Sequence, residues 1–162
     1  MVYRPRLILT AVAVVVLTGW FVWWRSPGVQ VPRAFAALEA AIESGNAAGT
    51  LAVLHADYDL RAQFPNLVGE TDDPRRAVLG LLFGVYQIQR GDPFIFDSTL
   101  GPVETGKDGS AEVHATIHLS CRSGQLPFTI DPTLRRRFVL RRDGWLGRYR
   151  IVDHDQVAIG RP

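Results

Sequence analysis

Cysteine is almost absent from this chain: Cys121 is the only one in 162 residues. No internal disulfide can form, and the redox compartment is left undecided. Four histidines with no dense cluster of histidine and acidic residues exclude a structural zinc site. There is no glycine-rich phosphate loop and no nucleophile elbow. Lysine is as rare as cysteine, with Lys107 alone, so the positive charge is carried by arginine. The formal net charge is +2, but Arg4, Arg6 and Arg25 lie at the start, leaving 15 basic against 16 acidic residues and a balance of −1 for the remainder. That balance argues against a general nucleic-acid binder.

What the chain does have is one long apolar run, Leu7 to Trp24, with Arg4 and Arg6 before it and Arg25 directly after. A run of about 18 uncharged residues is at the short end of what spans a hydrocarbon core of roughly 30 Å at about 1.5 Å per helical residue. Trp20, Trp23 and Trp24 crowd its C-terminal end, where indole rings favour the headgroup boundary. Arg6, Trp20, Trp23, Trp24 and Arg25 are therefore the expected membrane-interface residues. A secretory signal peptide has the same order of basic and apolar residues. Here Ala34-Phe35-Ala36, the one sequence resembling a cleavage site, lies well past the run and beyond Pro27 and Pro32, which fits a permanent anchor better. Basic residues nearly tie across the run, and the short N-terminal tail favours a cytoplasmic N-terminus with the body of the chain extracytoplasmic, or periplasmic.

The expected organisation is a transmembrane anchor with a short tail at 1–25, a proline-rich tether at 26–32 that cannot continue a regular helix, and one soluble domain at 33–162. Phe35, Leu38 and Ile42 follow helical spacing until Ser44-Gly45-Asn46. Asn46 can cap a second helix through Leu51, Leu54 and Tyr58. Asp73 and Pro74 start a third, with Val78, Leu81, Leu82, Val85 and Ile88 as its apolar stripe. The period then changes to two. Phe94 and Phe96 begin a strand, Gly106-Lys107-Asp108-Gly109 turns it, and Val113, Ala115, Ile117 and Leu119 alternate with polar residues. Leu134, Phe138 and Leu140, then Trp145, Tyr149 and Ile151 across an Asp143-Gly144 turn, complete an antiparallel sheet. Helices followed by strands predict an α+β fold: a single transmembrane helix, then helices packed on a curved antiparallel sheet, with the stripe of the third helix buried against it.

The junction Glu43-Ser44-Gly45-Asn46-Ala47 and the ending Phe138-Val139-Leu140-Arg141-Arg142-Asp143-Gly144-Trp145 leading to Tyr149-Arg150-Ile151 resemble the nuclear-transport-factor-2-like superfamily, over most of Arg33 to His154. The resemblance implies a cone-shaped α+β fold. Its members include isomerases, dehydratases and hydrolases as well as many non-catalytic binding and assembly modules, so fold alone does not set function. In the enzymes a carboxylate or an Asp and His pair works inside the cone, which needs an apolar pocket. The candidates here are Asp57, Asp59, Asp97, Asp153 and His154. By phase with Tyr149 and Ile151, Asp153 is the better-placed inward carboxylate, although the more ordinary reading of it is a strand-end residue facing water. No segment matches a catalytic motif residue by residue.

Metal binding has little support. His114 and His118 share one strand face but stand roughly 13 Å apart at about 3.3 Å per residue, too far for one ion. His55 and Asp59 have i,i+4 spacing, which serves a shared ion or a plain surface pair. The directional surface signal is basic: Arg135, Arg137, Arg141, Arg148 and Arg150 alternate with the apolar set on the last two strands and should project from one outer face. Such a face docks an acidic partner or anionic headgroups, or is neutralised by neighbours such as Glu112. The expected function is a non-catalytic accessory subunit of a membrane complex, photosynthetic or respiratory in type, with the bilayer and other subunits as partners and no cofactor. The alternative is a membrane-tethered enzyme or small-molecule binder using the cone.

Overall fold

The computed structural model describes residues 5–121, 133–144 and 146–156, with side chains described for all of these except residues 5–8, 67 and 156. Six α-helices precede four strands: α1 Pro5–Trp24, α2 Pro27–Glu43, α3 Ala47–Ala52, α4 Leu60–Gln63, α5 Pro65–Val68 and α6 Pro74–Ile88, then β1 Phe94–Thr105, β2 Ala111–Cys121, β3 Thr133–Arg142 and β4 Tyr149–Gln156. The strands form one antiparallel sheet in the order β1-β2-β3-β4. This is the α+β fold expected, with helices packed on the sheet.

The expected tether is helical instead. Pro27 occupies the first position of α2, where its missing N–H is not needed and its fixed φ suits a helix. Pro32 lies inside the same helix and forgoes one backbone bond. Val31 and Phe35, 0% and 1% exposed, bury that turn against the sheet and outweigh the lost bond. The Ser44-Gly45-Asn46 junction behaves as read: Gly45 takes φ +65°, and the Asn46 side chain accepts from the Gly49 amide at 2.9 Å.

The second helix is shorter than its spacing predicts. After Ala52 the chain turns to pair with β4: Ile151 N–H donates to Val53 O at 2.9 Å, and His55 N–H donates to Ile151 O at 2.8 Å. The third helix starts as expected, with Asp73 accepting from the Arg76 amide at 3.0 Å. Its stripe is not buried on the sheet. Only Val78 is buried, Leu81 is exposed and Ile88 is 77% exposed, because α2 occupies the sheet and α6 packs on α3 and α5.

The inner face of the sheet carries Phe96, Val113, Ala115, Ile117, Phe138, Leu140, Tyr149 and Ile151, which close around Val31 and Phe35. Phe35 meets Phe138 edge-on at 5.1 Å between centroids. Two bulges interrupt the ladder, one in β1 between Leu100 and Val103 and one in β4 opposite Val139 and Leu140. Each bends its strand and resets the alternation beyond it. Trp145 lies outside the described residues.

α1 stands apart from this core. Leu9, Val15 and Val22 are 64 to 70% exposed, and Trp20 and Trp23 are more than half exposed. Among the described residues no single helix is long and apolar enough to cross a membrane, which differs from the single spanning helix expected. By length and composition, Leu9–Trp24 and Pro27–Glu43 pass together as a pair bent by 54°.

Candidate functional site

Three arrangements hold most of the polar chemistry. The first is inside the fold. Tyr58, on the loop after α3, places its hydroxyl 2.7 Å from Nδ1 of His154, and the two rings stack at 9°. His154 also stacks on Phe138. Burial, followed by the nearby Arg136 guanidinium, pushes the imidazole pKa down against the opposing pull of Asp153 and Asp155. Burial, followed by the Asp153 charge, pushes the Tyr58 phenol up. Both groups are therefore neutral near pH 7. The phenol hydroxyl and the imidazole Nδ1 share one hydrogen bond.

This corrects the expectation for Asp153. The β4 bulge adds one residue, pairing Leu140 with Ile151 but Val139 with Asp153 and Phe138 with His154, so His154 turns inward and Asp153 outward. Asp153 is exposed, accepting from its neighbour's amide at 2.8 Å and from Gln63 at 3.1 Å. Asp97 is exposed as well.

The second arrangement ties the Val53–His55 segment to the β3–β4 hairpin. His55 is 8% exposed, and its Nε2 lies 2.7 Å from an Asp143 carboxylate oxygen. Its Nδ1 accepts the Asp57 amide at 3.1 Å, which assigns the ring proton to Nε2. The other Asp143 oxygen holds Arg150 at 2.9 Å, and Arg75 donates to the His55 carbonyl. Asp59 is not in this set: it caps α4 by accepting from the Arg61 and Ala62 amides. The proposed His55 and Asp59 pair is therefore absent, and no group of three or more potential metal ligands occurs among the described residues.

The third concerns the arginines. Arg137 contacts Glu112 at 2.6 Å and Asp155 at 3.2 Å, Arg141 contacts Asp57 at 3.7 Å, and Arg150 contacts Asp143. The outer face is thus largely neutralised rather than uniformly basic. Arg135 and Arg148 have no carboxylate partner among the described residues.

Beside this face lies a groove of about 810 Å³ between the end of α1, α2, α3 and the β3–β4 hairpin. Among the described residues its lining includes Arg25, Arg33, Arg142, Arg148 and Arg150 and no carboxylate. The Arg33 guanidinium lies 3.3 Å from the centroid of the Trp24 ring, Arg142 lies over Tyr149 at 4.9 Å, and Arg142 donates to the Arg25 carbonyl at 2.7 Å. Trp24 packs on Trp20 at 5.4 Å. The groove brings Arg25 and Trp24, two of the expected interface residues, together with Arg148 and Arg150 from the expected basic face. Trp20 and Trp23 stay exposed on α1, and the Arg6 side chain lies outside the described residues. Sequence reading missed Arg33 and Arg142 as members of this set, because only the bend after Trp24 folds α2 back to meet the hairpin.

No protein-family model matches the chain, and no curated protein does. Solved structures do. Aln2 from a Streptomyces species is similar with a TM-score of 0.53 at 20% identity, over 81% of this chain and 92% of that one. A structure from Catenulispora acidiphila follows at 0.52 and 15%, over 77% and 86%. An NTF2-like protein from Cytophaga hutchinsonii gives 0.46 and 15%, over 78% and 95%. At these identities the likeness is one of fold alone. On the inner face of the sheet, the position expected to hold a carboxylate is taken by the His154 and Tyr58 pair, and that pair does not line the groove.

Proposed function

We propose that this chain is a non-catalytic accessory subunit of a membrane protein complex, held at the bilayer by α1 and bracing partner subunits through its nuclear-transport-factor-2-like domain on the extracytoplasmic side. The observation that carries the reading is α1 itself: a helix with apolar side chains exposed around it and tryptophans at the end that meets the domain. Exposed apolar surface of that extent is stable only when lipid or protein covers it. Residues 5–8 continue the helix, so Leu7 and Ile8 lengthen the apolar segment.

Two further features support a role in contact. Leu79, Leu81, Phe83 and Ile88 leave an exposed apolar set on α6. Arg135 and Arg148 are exposed without carboxylate partners among the described residues, so they are the members of the basic face best placed to meet an acidic partner. A respiratory or photosynthetic assembly remains the partner class suggested by the tryptophan-rich helix end. Purification from membranes in mild detergent followed by native mass measurement tests the proposal: a stoichiometric complex is expected, weakened by Arg135→Glu with Arg148→Glu, and an isolated protomer contradicts it.

A membrane-tethered enzyme or small-molecule binder is the second reading, favoured only by the neutral Tyr58 and His154 pair. A small molecule retained by the purified protomer and lost in Tyr58→Phe supports that reading instead.

A further inference from the structure

We infer that the arginine-lined groove between α1, α2 and the β3–β4 hairpin binds a phosphate group, and that its source is the headgroup of an anionic phospholipid. The inference rests on the membrane-bound placement of α1 proposed above. Among the described residues, five guanidinium groups line one concavity and no carboxylate does. Arg150 is neutralised by Asp143, whereas Arg33, Arg142 and Arg148 have no carboxylate partner among the described residues. Such a concentration of like charge is costly until an anion enters, and guanidinium forks match phosphate oxygens geometrically.

The side chains are already oriented. Arg33 is held flat on Trp24, and its Nη1 is shielded from solvent without a hydrogen-bond partner among the described residues. Arg142 is held between Tyr149 and the Arg25 carbonyl. Gly147 lines the same concavity, and a Cβ there would collide with the Asp143 carbonyl, so the hairpin backbone is drawn in tightly at the rim. Positioned charges of this kind spend little entropy on binding.

The choice of a lipid source follows from the groove's other wall. Phe21 and Trp24 belong to the apolar helix, so a phosphate seated among the arginines has hydrocarbon-compatible surface directly beside it. A free phosphate uses only the charged half of this site. A volume of about 810 Å³ exceeds what one phosphate fills and is within the usual size of a small-molecule site, roughly 300–1,000 Å³.

The full chain is purified from membranes and exchanged into mixed micelles containing equal phosphatidylglycerol and phosphatidylcholine, and the retained lipid is counted by native mass spectrometry. In a parallel arm, inorganic phosphate is titrated against thermal unfolding. Wild type is expected to retain phosphatidylglycerol over phosphatidylcholine, and Arg33→Gln with Arg148→Gln to lose that preference about ten-fold, as expected for a charge-assisted hydrogen bond. Arg148→Gln alone, at an exposed position, gives a smaller loss in a protein whose folding it does not threaten. Equal retention of both lipids by wild type, or unchanged preference in the variants, overturns the site. Stabilisation by inorganic phosphate without lipid preference overturns the lipid assignment. A chain that cannot be recovered from membranes overturns the anchoring proposal, whereas one recovered there without lipid preference overturns only this site.

Discussion

Tyr58 and His154 stack at 9° with the phenol hydroxyl 2.7 Å from Nδ1, joining the loop after α3 to the end of β4 through two neutral groups. Gln63, which donates to Asp153, and the Val53 and His55 backbone, which pairs with Ile151, link the same two parts of the fold. Tyr58→Phe keeps the ring and its burial while removing the hydroxyl, so it is expected to cost about 1 kcal/mol. Urea unfolding at neutral pH measures it.

The same pair sets a pH dependence. The folded-state pKa of His154 lies below its ordinary value, so on acidification the unfolded chain takes up the proton first. The stabilisation from neutral His154 is complete above about pH 6.5 and is lost as pH falls from there towards the folded pKa. Tyr58 is raised, so the unfolded chain ionises first on the alkaline side and stability falls above about pH 10. Unfolding midpoints across pH are expected to show both declines. His154→Asn should flatten the acidic one, and an unchanged acidic slope in that variant contradicts the assignment.

Asp143 accepts from two donors, the His55 Nε2–H on one oxygen and the Arg150 guanidinium on the other. Asp143→Ala leaves a buried Nε2–H without an acceptor and is expected to cost about 1–3 kcal/mol. Faster hydrogen exchange at the Ile151 and His55 amides, which tie the 53–55 segment to β4, should accompany it.

Phe35 is the aromatic hub between α2 and the sheet. Phe35→Ala is expected to cost about 3–5 kcal/mol in chemical denaturation. A cost below about 1 kcal/mol contradicts the placement of α2 over the sheet.

Much of the fold was legible from period and punctuation. The Ser44-Gly45-Asn46 junction, the Asp73 cap and the Gly106–Gly109 turn are local signals, and each is present, with Gly109 at φ +79°. What failed was non-local. Pro27 and Pro32 read as breakers because their positions relative to a helix start were not known, and burial of Val31 and Phe35 decided the matter. Which helix covers the sheet cannot be told from amphipathic spacing, since α2 and α6 both have it. The β4 bulge has no composition signature, yet it exchanges Asp153 for His154 on the inner face. The arginines were legible as a face, but their carboxylate partners and the groove depend on chain segments that meet only in three dimensions.

Alkaline carbonate extraction of cells expressing the full chain tests most directly whether α1 lies within a bilayer. The protein is expected to stay in the membrane pellet and to need detergent for release. Complete release into the carbonate supernatant contradicts it.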